Sequence, residues 1–431
     1  MNQNIKILVI TVPSWNSKVG SNTWATLLEQ YPPENIASIY IRDEIPDSKV
    51  CSRYFNICEN KIIKSIFRRS IKTGCEISPD IANENDDRDL QIHNQRYIKM
   101  QKKRRYSMLL ARELIWKVGR WRTIELDSFL DAFKPDVILH SMEGYIHLNR
   151  IIEYAIKRTG AAAIGYIWDD NFTYKQSSKL GHKVYRFFQR KSLKKLARKT
   201  QAFFAITNKT KREADKFFNI NCKIITKPLN CEPNYLQKQI EYPIKILYTG
   251  NLLIGRDRSL VSLVEALKPF NQETVKYKVD VYTGTELSDK IKEKIECDYC
   301  TLHKAIKQSE VLALQKQADI LLFLEDVCGR DAKVARLSFS TKITDYLSSG
   351  KAIIAIGNKD TAPIEYFIEE DCAMVATDYN EITKIIERID GDLSCINEYA
   401  KKSCDCGIKN HNKEEILRKF DSVIQKYAMR K

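Results

Sequence analysis

Four polar side chains within a short stretch, Ser340, Thr341, Lys342 and Asp345, have the types and spacing to hold a phosphate ester beside a sugar. The N–H groups that open a helix attract an anion, and a lysine in the first turn adds a full positive charge. Asp345 stands four residues after Thr341, so its carboxylate projects from the same face one turn further along, within reach of a ribose diol. A nucleoside diphosphate needs its groups in that order. Either Ser340 or Thr341 can cap the helix start, and Gly350 follows its last turn, where a left-handed residue is usual. Apolar runs at 320–324 and 352–356 bracket the segment and read as strands of a parallel sheet covered on both faces. An ordinary capped helix with a solvated Asp345 has the same local pattern, so the rest of the chain must decide.

Composition bounds the choice. A chain of 431 residues suits about two domains, since single cores seldom exceed roughly 250 to 300 residues. Hydrophobic residues at 43% and aromatics at 10% exclude a disordered chain. A mean hydropathy of −0.40, with no apolar run near the roughly 18 residues of a spanning helix, excludes a membrane-embedded one. The opening MNQNIKILVITVPSW turns directly into a strand, which predicts no secretion signal. Together with twelve scattered cysteines it predicts reduced thiols and a cytoplasmic protein. The Cys297/Cys300 and Cys404/Cys406 pairs read as small core residues rather than zinc ligands, because CDYC opens an apparent strand.

The formal net charge of +16 calls for a partner. Basic residues crowd into 99–122, with Tyr106, Trp116 and Trp121 among them, and into 183–199, with Tyr185, Phe187 and Phe188. Basic helices with interleaved aromatics suit an anionic membrane surface, and a solvated face over a core stripe has the same pattern. No base-reading or stacking module accompanies the charge, so nucleic acid is not an expected partner.

A faint repeat sets the domain plan: IKILVIT at 5–11 returns as IKILYTG at 244–250. Each copy opens a region of alternating apolar runs and helical patterns, the signature of a doubly wound α/β sheet. The expected organisation is a first domain at 1–230 with a helical insertion at about 50–125, its acidic 84–89 segment flexible. A proline-bearing hinge linker follows at 231–243, then a second domain at 244–410 and a final helix at 411–431. Asn412 and Glu415 form a capping box for that helix, and Ile416, Phe420, Val423, Ile424 and Tyr427 line one stripe that can cross the hinge. The fold class is α/β, with two Rossmann-like doubly wound domains facing a cleft.

The segments YTGNLLIGRDRSLVSLVEAL at 248–267, QADILLFL at 317–324 and STKITDYLSSGKAIIAIG at 340–357, supported by PDVILH at 135–140, resemble bacterial GT-B glycosyltransferases, in particular family 4 of the retaining enzymes. The resemblance spans most of the chain. It implies a nucleoside-diphosphate sugar as donor, with Gly250, Asn251, Ser340, Thr341 and Lys342 around the diphosphate and Asp345 on the ribose. Counting back from Ala266 and Leu267 puts Arg258 at the family's diphosphate-binding lysine, whereas counting forward from Gly250 puts Arg256 there. Arginine can grip a diphosphate bidentately from either position. Leu337 stands where the family carries the first of two paired glutamates, which leaves the contact to the transferred sugar unassigned.

On the acceptor side the resemblance points to the loop after the first strand, with Ser14, Gly20 and Ser21, and to a histidine near the transferred sugar, matched by His140 or, one position on, Ser141. Glu143, Asp169 and Asp170 follow at strand ends, where a carboxylate can serve as general base. The resemblance implies retention over inversion, no cofactor beyond the donor, and no metal, with cations steadying the departing diphosphate.

The expected function is therefore a cytoplasmic hexosyltransferase-like enzyme, peripheral at the inner face of the cell membrane. It would pass a sugar to a lipid-linked or other saccharide acceptor in surface polysaccharide biosynthesis. A nucleotide-sugar epimerase or a glycosyl phosphorylase on the same fold is the alternative, separable by whether donor alone yields product.

Overall fold

A computed structural model of the chain describes residues 4–15, 23–68, 70–77, 106–229 and 235–429. It divides into two compact units, the first formed by residues 1–206, 210–225 and 417–431 and the second by 207–209 and 226–416. Each is a sheet covered by helices.

The first sheet is built from β1 (Ile7–Thr11), β2 (Ile36–Tyr40), β3 (Arg53–Ile57), β4 (Gly74–Ile77), β5 (Val137–Ser141), β6 (Ala162–Ile167), β7 (Ala202–Ala205) and β8 (Lys223–Ile224). Its order is β4-β3-β2-β1-β5-β6-β7-β8. Neighbours run parallel except β3 and β4. Runs such as ILVIT and VILHS are buried along their whole length, as strands between two helix layers must be. Because β1 lies between β2 and β5, the connections leave β1 on opposite faces, and the loops after β1 and β5 part at their carboxyl ends.

The Lys413–Ala428 helix begins as its sequence suggests, with Asn412 Oδ1 accepting from the Glu415 N–H at 2.9 Å. It buries Ile416, Phe420, Val423 and Ile424, and the Phe420 ring meets Phe204 of β7 at 5.5 Å.

The region at 50–125 departs from the helical expectation. It contributes two strands as well as the helices Glu59–Phe67 and Tyr106–Val118. Each of those strands has five residues or fewer and carries polar members, so no local period marks them. They exist through pairing: Ala37 aligns with Arg53, and Phe55 with Glu76. The 84–89 segment, Gly20 and Ser21 lie outside the described residues.

The second sheet comprises β9 (Ile244–Thr249), β10 (Tyr277–Thr283), β11 (Cys300–Lys304), β12 (Ile320–Leu324), β13 (Ala352–Ile356) and β14 (Met374–Ala376). All run parallel in the order β11-β10-β9-β12-β13-β14. Every residue of β12 and β13 is buried. Strand order reverses at β9, so a crevice opens beyond the carboxyl ends of β9 and β12.

Candidate active site

Lys342 opens the Lys342–Ser348 helix and extends toward that crevice. Of the two expected caps only Ser340 acts, its Oγ accepting from the Lys342 N–H at 3.4 Å. Thr341 already has helical angles, φ −64° and ψ −19°, and makes no side-chain cap. Gly350 takes the expected left-handed conformation, φ 66°. The Lys342 ammonium lies 4.7 Å from the centre of the Tyr248 ring. Burial, aided by the charge of Arg256, pushes its pKa down to about 7, against the pull of Glu325 and Asp345.

Arg256 spans the crevice floor. Its Nη1 donates to Asn251 Oδ1 at 2.7 Å and its Nε to the Leu324 carbonyl at 3.1 Å. Arg258 faces elsewhere, its Nη2 lying 3.0 Å from both Asp326 and Asp331. Between the two candidates, the structure brings Arg256 to Lys342 and leaves Arg258 neutralised by carboxylates.

Glu325 was not a candidate. It is the first residue after β12, buried, with Oε2 lacking any hydrogen-bond partner among the described residues. Burial raises its carboxyl pKa to about 7, only partly offset by Arg256, Thr361 and Lys342. Its signal in the sequence was position alone, since the carboxyl ends of strands in such sheets carry ligand groups.

Asp345 projects from the face expected of it but is not alone there: Lys227 Nζ lies 3.6 Å from its Oδ1. Burial raises the Asp345 pKa and lowers that of Lys227, in each case outweighing their mutual attraction. The 226–229 segment is fixed by His411, whose Nδ1 lies 2.9 Å from the Lys227 carbonyl oxygen and whose own carbonyl accepts from the Leu229 N–H at 3.0 Å. No local pattern distinguished Lys227 from a linker residue.

In the first unit, Ser141 Oγ donates to Glu143 Oε1 at 2.7 Å. Loss of hydration lifts the Glu143 pKa to about 7, with the charge of Asp169 adding and Ser141 and Arg42 opposing, although part of the side chain still reaches solvent. Ser14, in the loop after β1, gives its N–H and its hydroxyl to Glu44 Oε2 at 3.2 and 3.3 Å. Arg42 pairs with the other Glu44 oxygen at 3.2 Å. Glu143, Asp169, Ser14 and Arg42 thus gather at the carboxyl ends of neighbouring strands.

Two expected catalytic residues are placed otherwise. His140 is wholly buried, with Nε2 3.2 Å from Thr200 Oγ1, and burial lowers its pKa to about 4. It is a neutral structural group inside the sheet. Asp170 is 1% exposed and closes a turn, accepting from the N–H of Thr173 at 2.9 Å and from its hydroxyl. Among the described residues no group of three or more His, Cys, Asp or Glu side chains converges as metal ligands.

Two parallel-sheet α/β units, each with polar groups beyond the carboxyl ends of its strands, define the GT-B fold of glycosyltransferases. The solved structures agree. Sucrose-phosphate synthase from Thermosynechococcus elongatus superposes with a TM-score of 0.60 over 98% of each chain, at 11% identity. The α,α-trehalose 6-phosphate synthase of Burkholderia multivorans gives 0.58 over 99% of this chain and 98% of its own, at 8% identity. HepE of Anabaena, solved in complex with UDP-glucose, gives 0.58 over 98% of this chain and all of its own, at 9% identity. No family model matches the sequence, and no curated protein matches it. At such identities the likeness is one of fold.

Proposed function

We propose that this chain is a glycosyltransferase that takes a nucleoside-diphosphate sugar into the β9/β12 crevice and passes the sugar to a lipid-linked saccharide in surface polysaccharide assembly. One observation carries the reading: Arg256 and Lys342 converge beside the Glu325 carboxyl, whose Oε2 has no hydrogen-bond partner among the described residues, where strand order reverses. Burial of the Lys342 ammonium outweighs the pull of Glu325 and Asp345, so the crevice is short of negative charge, and a diphosphate supplies it. Asn251 and the amides around Ser340 add neutral donors, and Asp345 with Lys227 would face the ribose. The transferred sugar would then reach Glu325, which compensates for Leu337 standing where the resemblance expects a carboxylate.

Chemically, the diphosphate leaves as negative charge builds on its bridging oxygen, and fixed cations at that place lower the barrier more than they favour the ground state. Arg256 and Lys342 have that role, with no metal required, and the anomeric configuration is retained. Glu143, Ser14 and Arg42 would bind the acceptor.

The test is a thermal-shift panel of UDP, GDP, CMP and dTDP sugars, since a ligand that binds only the folded state raises its melting temperature by mass action. One class of donor should stabilise the protein, and Lys342→Met should abolish the shift without lowering the unliganded melting temperature. Absence of any shift, or one indifferent to Lys342→Met, would remove the donor site from this crevice.

A further inference from the structure

The Leu180–Ala197 helix carries an apolar stripe on its solvent side as well as on its core side. Its inward residues are Tyr185, Leu193, Leu196 and Ala197, with His182, Arg186 and Gln189 among them. Outward stand Leu180 at 77% exposure, Val184 at 41%, Phe187 at 57% and Phe188 at 46%. The spacing i, i+4, i+7, i+8 makes these one stripe, and ordinarily that stripe is the one that packs on the core. The helix LGHKVYRFFQRKSLKKLA contains no acidic residue, while Lys183 and Lys191 stand on the exposed side and make no ion pair among the described residues.

The neighbouring helices expose apolar side chains as well. The Tyr106–Val118 helix packs alongside, its Tyr106 ring 5.6 Å from that of His182, and presents Leu114 at 62% and Val118 at 68% exposure. The Glu59–Phe67 helix packs on the other side of it, Arg112 pairing with Glu59, and ends in Phe67 at 85%. By contrast Trp116, Trp121 and Tyr185, the other aromatics of the basic segments, are core residues.

We propose that this face docks on an anionic lipid bilayer, with the stripe entering the boundary between headgroups and acyl chains and the lysines meeting the lipid phosphates. Two observations favour a membrane over other occupants. A second copy using the same patch would set lysine against lysine in a chain of net charge +16. Nucleic acid would use the lysines and stack on the phenylalanines but would leave Leu180, Val184, Leu114 and Val118 wet. No described helix is long and apolar enough to span a membrane, so contact is interfacial.

The same helix also supports the acceptor loops. Gln189 Nε2, on its inner side, donates to the Gly144 carbonyl at 2.6 Å, directly after Glu143, and Arg190 donates to the Phe172 carbonyl in the loop after β6. Docking would therefore hold the rim carrying Glu143 and Asp169 at the lipid surface. That consequence rests on the acceptor being lipid-linked; the docking itself does not.

Flotation of the full chain with phosphatidylcholine vesicles, with and without phosphatidylglycerol, tests the proposal in the absence of donor and acceptor. The protein should float with anionic vesicles. Phe187→Ser/Phe188→Ser should reduce the bound fraction about tenfold or more at an unchanged melting temperature. Lys183→Glu/Lys191→Glu should remove the preference for anionic lipid. Equal flotation of the serine variant overturns the proposal, as does absence of any lipid-dependent difference. Self-association abolished by the serine variant would overturn it in favour of a second copy, and a salt-sensitive RNA shift abolished by the glutamate variant in favour of nucleic acid. Donor-induced thermal shifts on the same preparation separate failure of docking from failure of the transferase reading.

Discussion

A β-carbon on Gly250 would sit 1.8 Å from the Lys342 ammonium. The end of β9 is thus hollowed to admit the side chain that opens a helix more than ninety residues later. Gly250 itself has φ 141°, a conformation that other residues rarely adopt. Gly250→Ala must push Lys342 away from Tyr248 and Arg256 and strain the backbone by about 1 to 3 kcal/mol. The expected outcome is loss of the donor thermal shift together with a modest fall in the unliganded melting temperature. A full donor shift in this variant would show that Lys342 does not act from the position seen.

Lys342 also sets a pH dependence whose sign can be worked out. Its folded pKa, about 7, is below its ordinary value, so between pH 7 and the usual lysine range the unfolded chain binds more protons and stability rises with pH. Glu325 is raised to about 7, so from the usual carboxylate range up to pH 7 the folded chain binds more protons and stability falls with pH. Their joint contribution has a minimum near neutrality. A diphosphate selects the charged lysine, so donor affinity should weaken above pH 7, by up to about tenfold per pH unit, and binding at pH 8 should take up protons. Calorimetry in buffers of different ionisation enthalpy reads that uptake directly. Glu325→Gln removes a charge that favours the ammonium, so the alkaline weakening should begin at lower pH.

Lys227, buried, and Asp345, largely so, form an ion pair in which burial works against both charges. Removing one charge leaves the other enclosed, which generally costs about 3 to 5 kcal/mol, whereas replacing both with apolar residues is often close to neutral. Asp345→Asn should therefore destabilise the fold by about 3 kcal/mol in denaturant titrations, and Lys227→Met/Asp345→Leu should recover most of that. The loss in the single variant should shrink as pH rises toward the usual lysine range, because Lys227, its pKa lowered by burial, can shed its proton. Equal stability of single and double variants would mean that the pair is not coupled.

Much of this arrangement is legible in the sequence for identifiable reasons. Strands such as β12 and β13 are unbroken apolar runs, and β9, β12 and β13 lie where the runs at 244–250, 320–324 and 352–356 predict. Lys342 and Asp345 emerge from helical spacing. Where reading failed, the missing quantity was a partner or a direction. Arg256 and Arg258 are two positions apart on one helix and point to nearly opposite sides, so only Asn251 on one hand and Asp326 on the other separate them. His140 and Ser141 alternate across a strand buried on both faces, which hides from the sequence which of them meets the loop. Glu325 and Lys227 are single charged residues whose meaning comes from groups distant in the chain.

Glu143 offers the clearest distinction between mechanisms. Its carboxyl, raised to about 7 and tied to Ser141, could in principle take the acceptor proton. Loss of a general base typically costs 10² to 10⁴ in rate, and a reaction using one should speed up as pH rises through 7. On the retaining transfer proposed above, the departing diphosphate would be the controlling charge, steadied by Arg256 and Lys342, and Glu143 would only orient the acceptor hydroxyl. Glu143→Gln should then raise KM for the acceptor while kcat changes by less than about tenfold, because the amide keeps an oxygen that accepts the same hydrogen bond. NMR of the product should show the anomeric configuration of the donor. A loss of kcat in the general-base range, with the rising limb near pH 7 removed and the configuration inverted, would instead make Glu143 the base and overturn retention.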